Sequence, residues 1–393
     1  MRYYSVFRDE TKLDINYVPQ KLPHREEELD LLKHYLRYTT TAPGKMSQRI
    51  LITGKVGTGK TATAQHFGKS ITRKAQNRDI TLKYIHVNCR QCRGSLFLIL
   101  QQAIQGFIPT FPRRGYSAEE LLQSLMQILD ERDAYLILTL DELAALISRA
   151  GSDPLYNLTR VQENRLEGSN RLTLICILRQ QEYLEKLDPS TRSTLQQNVI
   201  RLEEYTRPQL RDILMARAVL AFTEGAVITQ SIDQVAQLAA GRGDARYAIE
   251  LLWRAGKYAD SKGLSEVTPE CVRKAAVSVY PTVRKDVIRS LGLHKRLFLL
   301  SIARHFRETA SAHVSMGEAE DAYAVVCEEY DEERRGHTQL WKYVKELSAL
   351  GIIERKPSSS GRRGKTTLIG LPRIPASDLE VMLERELGGG GVE

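Results

Sequence analysis

Residues 50–61 read Ile-Leu-Ile-Thr-Gly-Lys-Val-Gly-Thr-Gly-Lys-Thr, a G-x-x-x-x-G-K-[ST] pattern placed directly after a short apolar run. This stretch constrains the fold strongly, because a strand must deliver the chain into the glycine turn and a helix must carry it away. Gly54, Gly57 and Gly59, with Val56 and Thr58 between them, let the backbone turn its N–H groups around phosphate oxygens. Lys60 supplies a point charge for the outer phosphates, Thr61 offers a hard hydroxyl ligand for Mg²⁺, and Ala62 continues the helix. The pattern predicts a strand over 49–53 and a helix over 61–77, so that an anion meets a helix N-terminus. A glycine-rich turn without a ligand is the alternative; the strand–loop–helix order argues against it.

A chain of 393 residues has material for two or three domains. No apolar stretch is long enough to span a bilayer. The opening Met1-Arg2-Tyr3-Tyr4-Ser5 is not followed by a signal-type apolar core, so a cytoplasmic, nucleoid-associated protein is expected, with no membrane partner. The net charge of +9 favours a polyanionic partner, nucleic acid above all. Of the five cysteines, Cys89 and Cys92 form a C-x-x-C pair, but Cys176, Cys271 and Cys327 are scattered. That spacing suits neither a disulfide framework nor a zinc site, and ordinary buried thiols are expected.

Apolar, β-branched runs at 84–87, 135–140, 172–178 and 198–202 alternate with helical patterns. Such alternation predicts a parallel sheet covered on both faces, with ligands at the carboxyl ends of the strands, where the 54–61 loop lies. From Arg207-Pro208 the pattern becomes helical, with helices predicted over 231–240, 244–261 and 268–278; Thr268-Pro269-Glu270 places Thr at the N-cap and Pro at the first helical position. A break is expected at Tyr280-Pro281. Helices over 293–307, 317–330 and 338–350 precede β-like runs at 352–356 and 366–371, which flank the basic turn Pro357-Ser-Ser-Ser-Gly-Arg-Arg-Gly-Lys365. Three helices and a basic hairpin make a winged helix. The expected domains are 1–205 (α/β, nucleotide-binding), 206–282 (all-helical), 283–374 (winged helix) and 375–393 (tail, with Gly388–Gly391 disordered).

Tyr135-Leu-Ile-Leu-Thr-Leu-Asp141-Glu142 is an apolar strand ending in two acids. At the phosphate edge of a parallel sheet, Asp141 would hold Mg²⁺ and Glu142 would orient and polarise an attacking water. Two acids also suit an ordinary helix start; Lys60 and Thr61 upstream favour the catalytic reading.

With these motifs in order, the chain resembles the AAA+ ATPases, and more narrowly the archaeal origin-recognition/Cdc-type replication initiators, over nearly its whole length. The fold this implies is an α/β P-loop AAA+ parallel-sheet domain, an all-α lid and a C-terminal winged helix. Val6-Phe7-Arg8-Asp9-Glu10 and Tyr17-Val18-Pro-Gln-Lys-Leu-Pro-His24-Arg25-Glu26 are similar to the family's opening segment. The resemblance implies that Val18, His24 and Arg25 lie beside the adenine of ATP or ADP. Asp153-Pro-Leu-Tyr-Asn-Leu-Thr-Arg160 resembles the helix after the acidic strand. Gly243-Asp244-Ala245-Arg246 resembles the sensor motif whose Arg reaches the phosphates from the lid. By spacing alone, Arg246 reads equally as a surface residue.

Two positions depart from the family. Where it usually carries a polar sensor, often Asn, this chain has Arg179. Where it commonly has Arg after Asp-Pro, this chain has Ser190, with Arg192 two residues on. An arginine finger is worth about 10³–10⁵ in rate in P-loop enzymes, so a slow ATPase at most is expected, using nucleotide as a conformational clamp.

For DNA, Leu340, Val344, Leu347 and Leu350 define an apolar stripe, leaving His337, Thr338, Gln339, Lys342 and Lys345 mainly on other faces, as in a recognition helix. Arg355, Lys356, Arg362, Arg363 and Lys365 cluster at the hairpin and suit phosphates or a minor groove. Gly106–Tyr116 is a second candidate by resemblance to a DNA-touching insertion, with Phe111 or Tyr116 as a wedge and Arg113 and Arg114 on phosphate; a Pro-broken loop packing its own aromatics is the equal alternative. The resemblance implies double-stranded origin DNA, the replicative helicase and sister initiators as partners. A regulatory paralogue that loads no helicase and a clamp-loader-like ATPase are the competing readings. If the insertion grips DNA, replacing Arg113 and Arg114 by Ala lowers duplex affinity and the salt slope in anisotropy titrations; an unchanged slope removes that contact.

Overall fold

The carboxyl ends of five parallel strands set the geometry of the first part of the chain. These are β1 (Arg49–Thr53), β2 (Leu82–Asn88), β3 (Tyr135–Asp141), β4 (Leu172–Leu178) and β5 (Val199–Arg201), in spatial order β2-β3-β4-β1-β5. The computed structural model describes residues 5–112, 114–162, 169–279, 285–309, 311–357, 367–372 and 374–388. They belong to two compact units: residues 18–205 with 243–245, and residues 1–17 with 206–242 and 246–393.

In the first unit, β1, β3 and β4 are almost wholly apolar because both faces of the sheet are covered. Alternate residues serve opposite cores, as the two-residue period of a strand requires. Leu51, Leu138, Leu174 and Cys176 pack with Ile99 and Leu125. Ile50, Ile52, Ile137, Ile175 and Ile177 pack with Leu32, Phe67 and Ile71 on the other side. The covering helices are α1 (Glu26–Tyr35) and α2 (Lys60–Gln76) on that side, and α3 (Leu96–Gln105) and α4 (Ala118–Glu131) on the first. A capping box between Ser117 and Glu120 starts α4. Helix α2 approaches β2 so closely that a Cβ on Gly68 would stand 2.4 Å from the Tyr84 ring. A short helix, α5 (Pro189–Leu195), precedes β5.

All five cysteines are buried and free, and burial pushes the Cys176 thiol up to about 12. Among the described residues no group of three or more His, Cys, Asp or Glu side chains is placed to hold a metal ion, and no helix is long and apolar enough to cross a membrane.

The second unit begins with helices α6 (Arg207–Ala221), α7 (Thr229–Ala240), α8 (Ala245–Ser261) and α9 (Pro269–Val279), the first residue of α8 counting with the other unit. The N-terminal segment is bound to these helices. Phe7 stacks on Phe222 at 4.7 Å, Val6 N–H donates to Asp260 at 2.7 Å, and the buried Arg217 donates to the carbonyls of Lys12 and Tyr17. The opening segment therefore divides: residues up to Tyr17 pack in the helical unit, and Val18 to Glu26 belong to the sheet unit.

The winged part contains α10 (Leu293–Glu308), β6 (Val314–Ser315), α11 (Met316–Glu329), α12 (His337–Ala349), β7 (Glu354–Pro357) and β8 (Thr367–Gly370). The three strands form an antiparallel sheet in the order β6-β8-β7. Strand β6 is too short to leave a periodic signal in sequence. The stretch read above as a tail contains a helix, α13 (Ala376–Gly388), whose Leu379 and Leu383 are buried in the winged-helix core. The Tyr280-Pro281 break, the hairpin tip and residues beyond Gly388 lie outside the described residues.

Polar contacts join the helical and winged parts within this unit. Arg273 of α9 is fully buried, donates from Nε to Glu270 at 2.8 Å and lies 4.9 Å over the Phe306 ring. Glu270 also accepts from the Ala376 backbone N–H at 3.2 Å, at the start of α13. Lys274 pairs with Asp378, and Gln230 accepts from the Ala312 N–H at 3.0 Å. A buried cation stripped of its carboxylate is costly, about 3 kcal/mol or more. Glu270→Ala should therefore lower the melting temperature in scanning calorimetry by several degrees, and adding Arg273→Met should recover much of that loss. A Glu270→Ala melt matching the wild type would remove this contact from the stabilising set.

Candidate functional site

Between β1 and α2 the chain turns through Gly54, Gly57 and Gly59 with φ of 149°, 76° and 89°. The turn leaves no room for side chains at its glycines: a Cβ on Gly57 would fall 1.8 Å from an Asp244 carboxylate oxygen. Helix α2 begins at Lys60, one residue earlier than expected. Lys60 is 8% exposed, and its Nζ donates to the carbonyls of Gly54 at 2.7 Å and Lys55 at 2.6 Å. The ammonium is thus drawn over the loop's own backbone. Thr58 is buried and closes the turn by donating to Lys55 O at 2.9 Å, while Val56 is exposed and Ala62 half-buried.

Arg25, expected beside the adenine, is held by acceptors of the protein itself. It is 4% exposed, and all five of its N–H donors are engaged. Two go to Thr58 O and one each to Glu203 O, His24 O and Glu28, with the guanidinium 4.0 Å over the Tyr205 ring. An arginine so committed braces the loop from behind. Burial pushes the Tyr205 hydroxyl up to about 12, so it stays neutral beside Arg25. His24 stands at φ 63°, and Val18 is half-buried.

The parallel register pairs Asn88 with Asp141, Leu140 with Cys176 and Leu178 with Thr53, which brings the ends of β1, β2, β3 and β4 to one edge. There the Thr61 hydroxyl donates to Asp141 Oδ2 at 2.7 Å, and His86 Nε2 lies 3.1 Å from the same oxygen. His86 Nδ1 is 3.1 Å from the Tyr84 hydroxyl, and the Glu142 N–H donates to Asp141 Oδ1 at 2.8 Å. Burial by itself would raise the Asp141 pKa; the hydrogen bonds from His86 and Thr61 outweigh it and hold the carboxyl below its usual range. An ionised carboxylate beside a hydroxyl is a hard-oxygen pair, and these residues fit Mg²⁺. His86 went unnoticed in the sequence. Its signal was the alternation of Tyr84 and His86 on one face of β2.

Glu142 has φ of 53°, left-handed for a residue with a side chain. Its Oε1 accepts from Arg179 Nε at 3.1 Å and Nη2 at 2.7 Å, so the arginine at the sensor position is ion-paired with the second acid. Further along, Asp188 caps α5 by accepting from the N–H groups of Ser190 and Thr191, each at 3.0 Å. The Ser190 hydroxyl accepts from Arg160 at 2.6 Å, and Arg160 lies 4.8 Å over the Tyr156 ring. Arg192 is half-buried. Arg246 is exposed in the first turn of α8 and belongs to the second unit.

In the winged part, Leu340, Val344 and Leu347 are buried as expected, joined by Tyr343, whereas Leu350 is 53% exposed because the helix ends at Ala349. Thr338, Lys342 and Lys345 are exposed and Gln339 is half-buried. His337 is paired with Glu320. Arg334 and Arg335, exposed just before the Gly336 N-cap, add two cations that the sequence reading passed over although they are adjacent. On β7 alternation separates two neighbours. Arg355 is exposed, while Lys356 contacts Gln237 of α7, His313 at 3.3 Å and Glu354 at 3.5 Å. Lys356 is thus engaged within the protein, which corrects its assignment to the basic cluster. Arg362, Arg363 and Lys365 lie outside the described residues, as does Arg113. Arg114 is exposed, Phe107 and Phe111 pack against the sheet core, and Phe111 lies 5.2 Å from the half-open Tyr116 ring.

Three family models match in succession: the AAA ATPase domain over residues 21–175, the Cdc6 AAA+ ATPase-type lid domain over 211–277, and the CDC6 C-terminal winged helix domain over 286–380. The ORC1-type DNA replication protein 2 of Sulfurisphaera tokodaii is 34% identical over 391 residues, 98% of this chain and 93% of the relative. Among solved structures, Cdc6p from Pyrobaculum aerophilum aligns with a TM-score of 0.82 at 32% identity, covering 98% of this chain and 99% of that one. The Aeropyrum pernix ORC1 protein, solved in complex with DNA, aligns at 0.62 with 31% identity, covering 98% and 97%. A phosphate-type loop on a parallel sheet, a helical lid and a winged helix, matched in that order along nearly the full chain, place this protein in the archaeal ORC1/Cdc6 family of AAA+ DNA replication proteins.

Proposed function

We propose that the chain initiates replication by binding duplex origin DNA through α12 and the β7–β8 hairpin, with ATP·Mg²⁺ as a conformational switch that it hydrolyses slowly. The observation that carries the DNA part is the exposed face of α12, where Thr338 and Lys342 stand opposite a buried Leu340–Val344–Leu347 stripe, with Arg334, Arg335 and Arg355 nearby in the chain. Helices of this kind read a major groove while flanking cations hold phosphates. The similarity to the A. pernix ORC1 protein, solved in complex with DNA, supports a DNA-binding role. The 106–116 insertion is a second contact in this reading, through Arg113, Arg114 and Tyr116.

In the nucleotide part, the loop N–H groups and Lys60 bind the phosphates, Thr61 and Asp141 hold the Mg²⁺, and Glu142 orients water. Bound there, the ion neutralises phosphate charge as it develops. Val18 and His24 line the base, and Arg246 reaches the phosphates from the lid. Hydrolysis is slow because Ser190 stands where the family has its finger arginine and Arg179 ties Glu142. The helicase and sister initiators are the proposed protein partners, at the nucleoid. A regulatory paralogue that occupies DNA without loading helicase is the second reading, favoured by the same Ser190 and Arg179.

Lys342→Ala should weaken binding to all duplexes alike and reduce the salt slope by about one, whereas Gln339→Ala should relax sequence preference by about 1–3 kcal/mol at one position. Anisotropy titrations on duplexes recovered with the protein from its cell check both, and unchanged affinity in each variant sinks the winged-helix assignment. Steady-state ATP turnover should lie below the range of about 1–10³ s⁻¹ usual for enzymes, with or without DNA; a rate inside that range overturns the switch reading.

A further inference from the structure

We propose that Arg179 is a built-in restraint on Glu142, a positioning residue that withholds the water-orienting carboxylate and sets the slow rate of hydrolysis. The inference rests on the nucleotide reading of the 54–61 loop and adds what governs its turnover.

The two residues are brought together by backbone. The Leu143 N–H donates to Ile177 O at 3.1 Å, which locks the turn after β3 to the end of β4. Two residues past Ile177 comes Arg179, and one before Leu143 comes Glu142. In the register, Leu178 pairs with Thr53, so Arg179 leaves β4 level with Gly54, the first residue of the phosphate loop. The guanidinium donates twice to one carboxylate oxygen, Oε1, from Nε at 3.1 Å and Nη2 at 2.7 Å. The Glu142 backbone is held at φ 53° with its N–H on Asp141.

In hydrolysis at this site, the water oxygen bonds to the terminal phosphorus and the bond from that phosphorus to the bridging oxygen breaks. The electron pair leaves with the diphosphate, and the water proton passes to a Glu142 carboxylate oxygen before returning to the released phosphate. A carboxylate oxygen that already accepts two charge-assisted hydrogen bonds is a poor acceptor for that proton. The pair is partly open to solvent, with side chains 42% and 26% exposed. It is therefore weak enough to open thermally, and turnover proceeds in the open fraction.

The test uses the full chain with ATP and MgCl₂. Arg179→Ala should raise kcat about tenfold, the ratio expected for removing one such restraint, with KM and the calorimetric Kd for ADP unchanged; Arg179→Lys should fall between. In a Glu142→Ala background, Arg179→Ala should change nothing, because it acts through Glu142. Independently of turnover, nucleotide-free protein is treated with a water-soluble carbodiimide and glycine ethyl ester, and modification of Glu142 is read by mass spectrometry. Glu142 should be protected in the wild type and labelled several-fold faster in Arg179→Ala. A kcat that falls or stays level in both Arg179 variants, or equal labelling, overturns the restraint. Wild-type protein that binds neither ATP nor ADP in calorimetry overturns the nucleotide reading itself, which a failure of the restraint leaves standing.

Discussion

The parallel register of β1, β3 and β4 is the constraint on which the nucleotide unit depends. Because Leu140 pairs with Cys176 and Leu178 with Thr53, three strands end at the same edge. Thr61, Asp141, Glu142 and Arg179 are scattered over more than a hundred residues of sequence, yet they meet there at hydrogen-bond distances. Shifting one strand by a residue would turn its side chains to the opposite face. The two cores, Leu-rich on one side and Ile-rich on the other, resist such a slip.

The glycine loop at that edge is held open from both sides. Arg25 and Tyr205 brace it from behind, with every arginine donor committed to protein acceptors. Lys60 reaches back over its carbonyls from the front. A loop so supported is preorganised, which lowers what ordering costs when an anion arrives. Next to it, Asp141 is held ionised and hydrogen-bonded on both oxygens, while Glu142 is tied to Arg179. The two adjacent acids are therefore prepared for different tasks by different neighbours.

In the second unit, polar contacts join the lid helices to the winged part, beside the apolar core of the latter. Arg273 under Phe306, Glu270 at the start of α13, and Gln237 against β7 tie lid helices to the winged part. Such contacts are specific in geometry, since a buried charge tolerates little displacement from its partner.

The sequence by itself determined the order of elements, the glycine loop, the acidic strand end and the polar face of α12. These are local: strand and helix periods, glycine φ and residue spacing are legible without a fold. The strands and helices that were given bounds appear within two residues of them, whereas β6 and α13 were not expected. What stayed hidden depended on partners distant in the chain. His86 becomes a partner of Asp141 only through the β2–β3 register. Arg25 braces the loop because Thr58 and Glu203 converge on it. Lys356 is taken by α7, whereas Arg355, its neighbour, is exposed. Helix α13 forms where its Leu379 and Leu383 find a core to enter. Only the tertiary structure decides such matters, because whether a charged side chain is free or engaged depends on which acceptors the fold brings within about 3 Å of it.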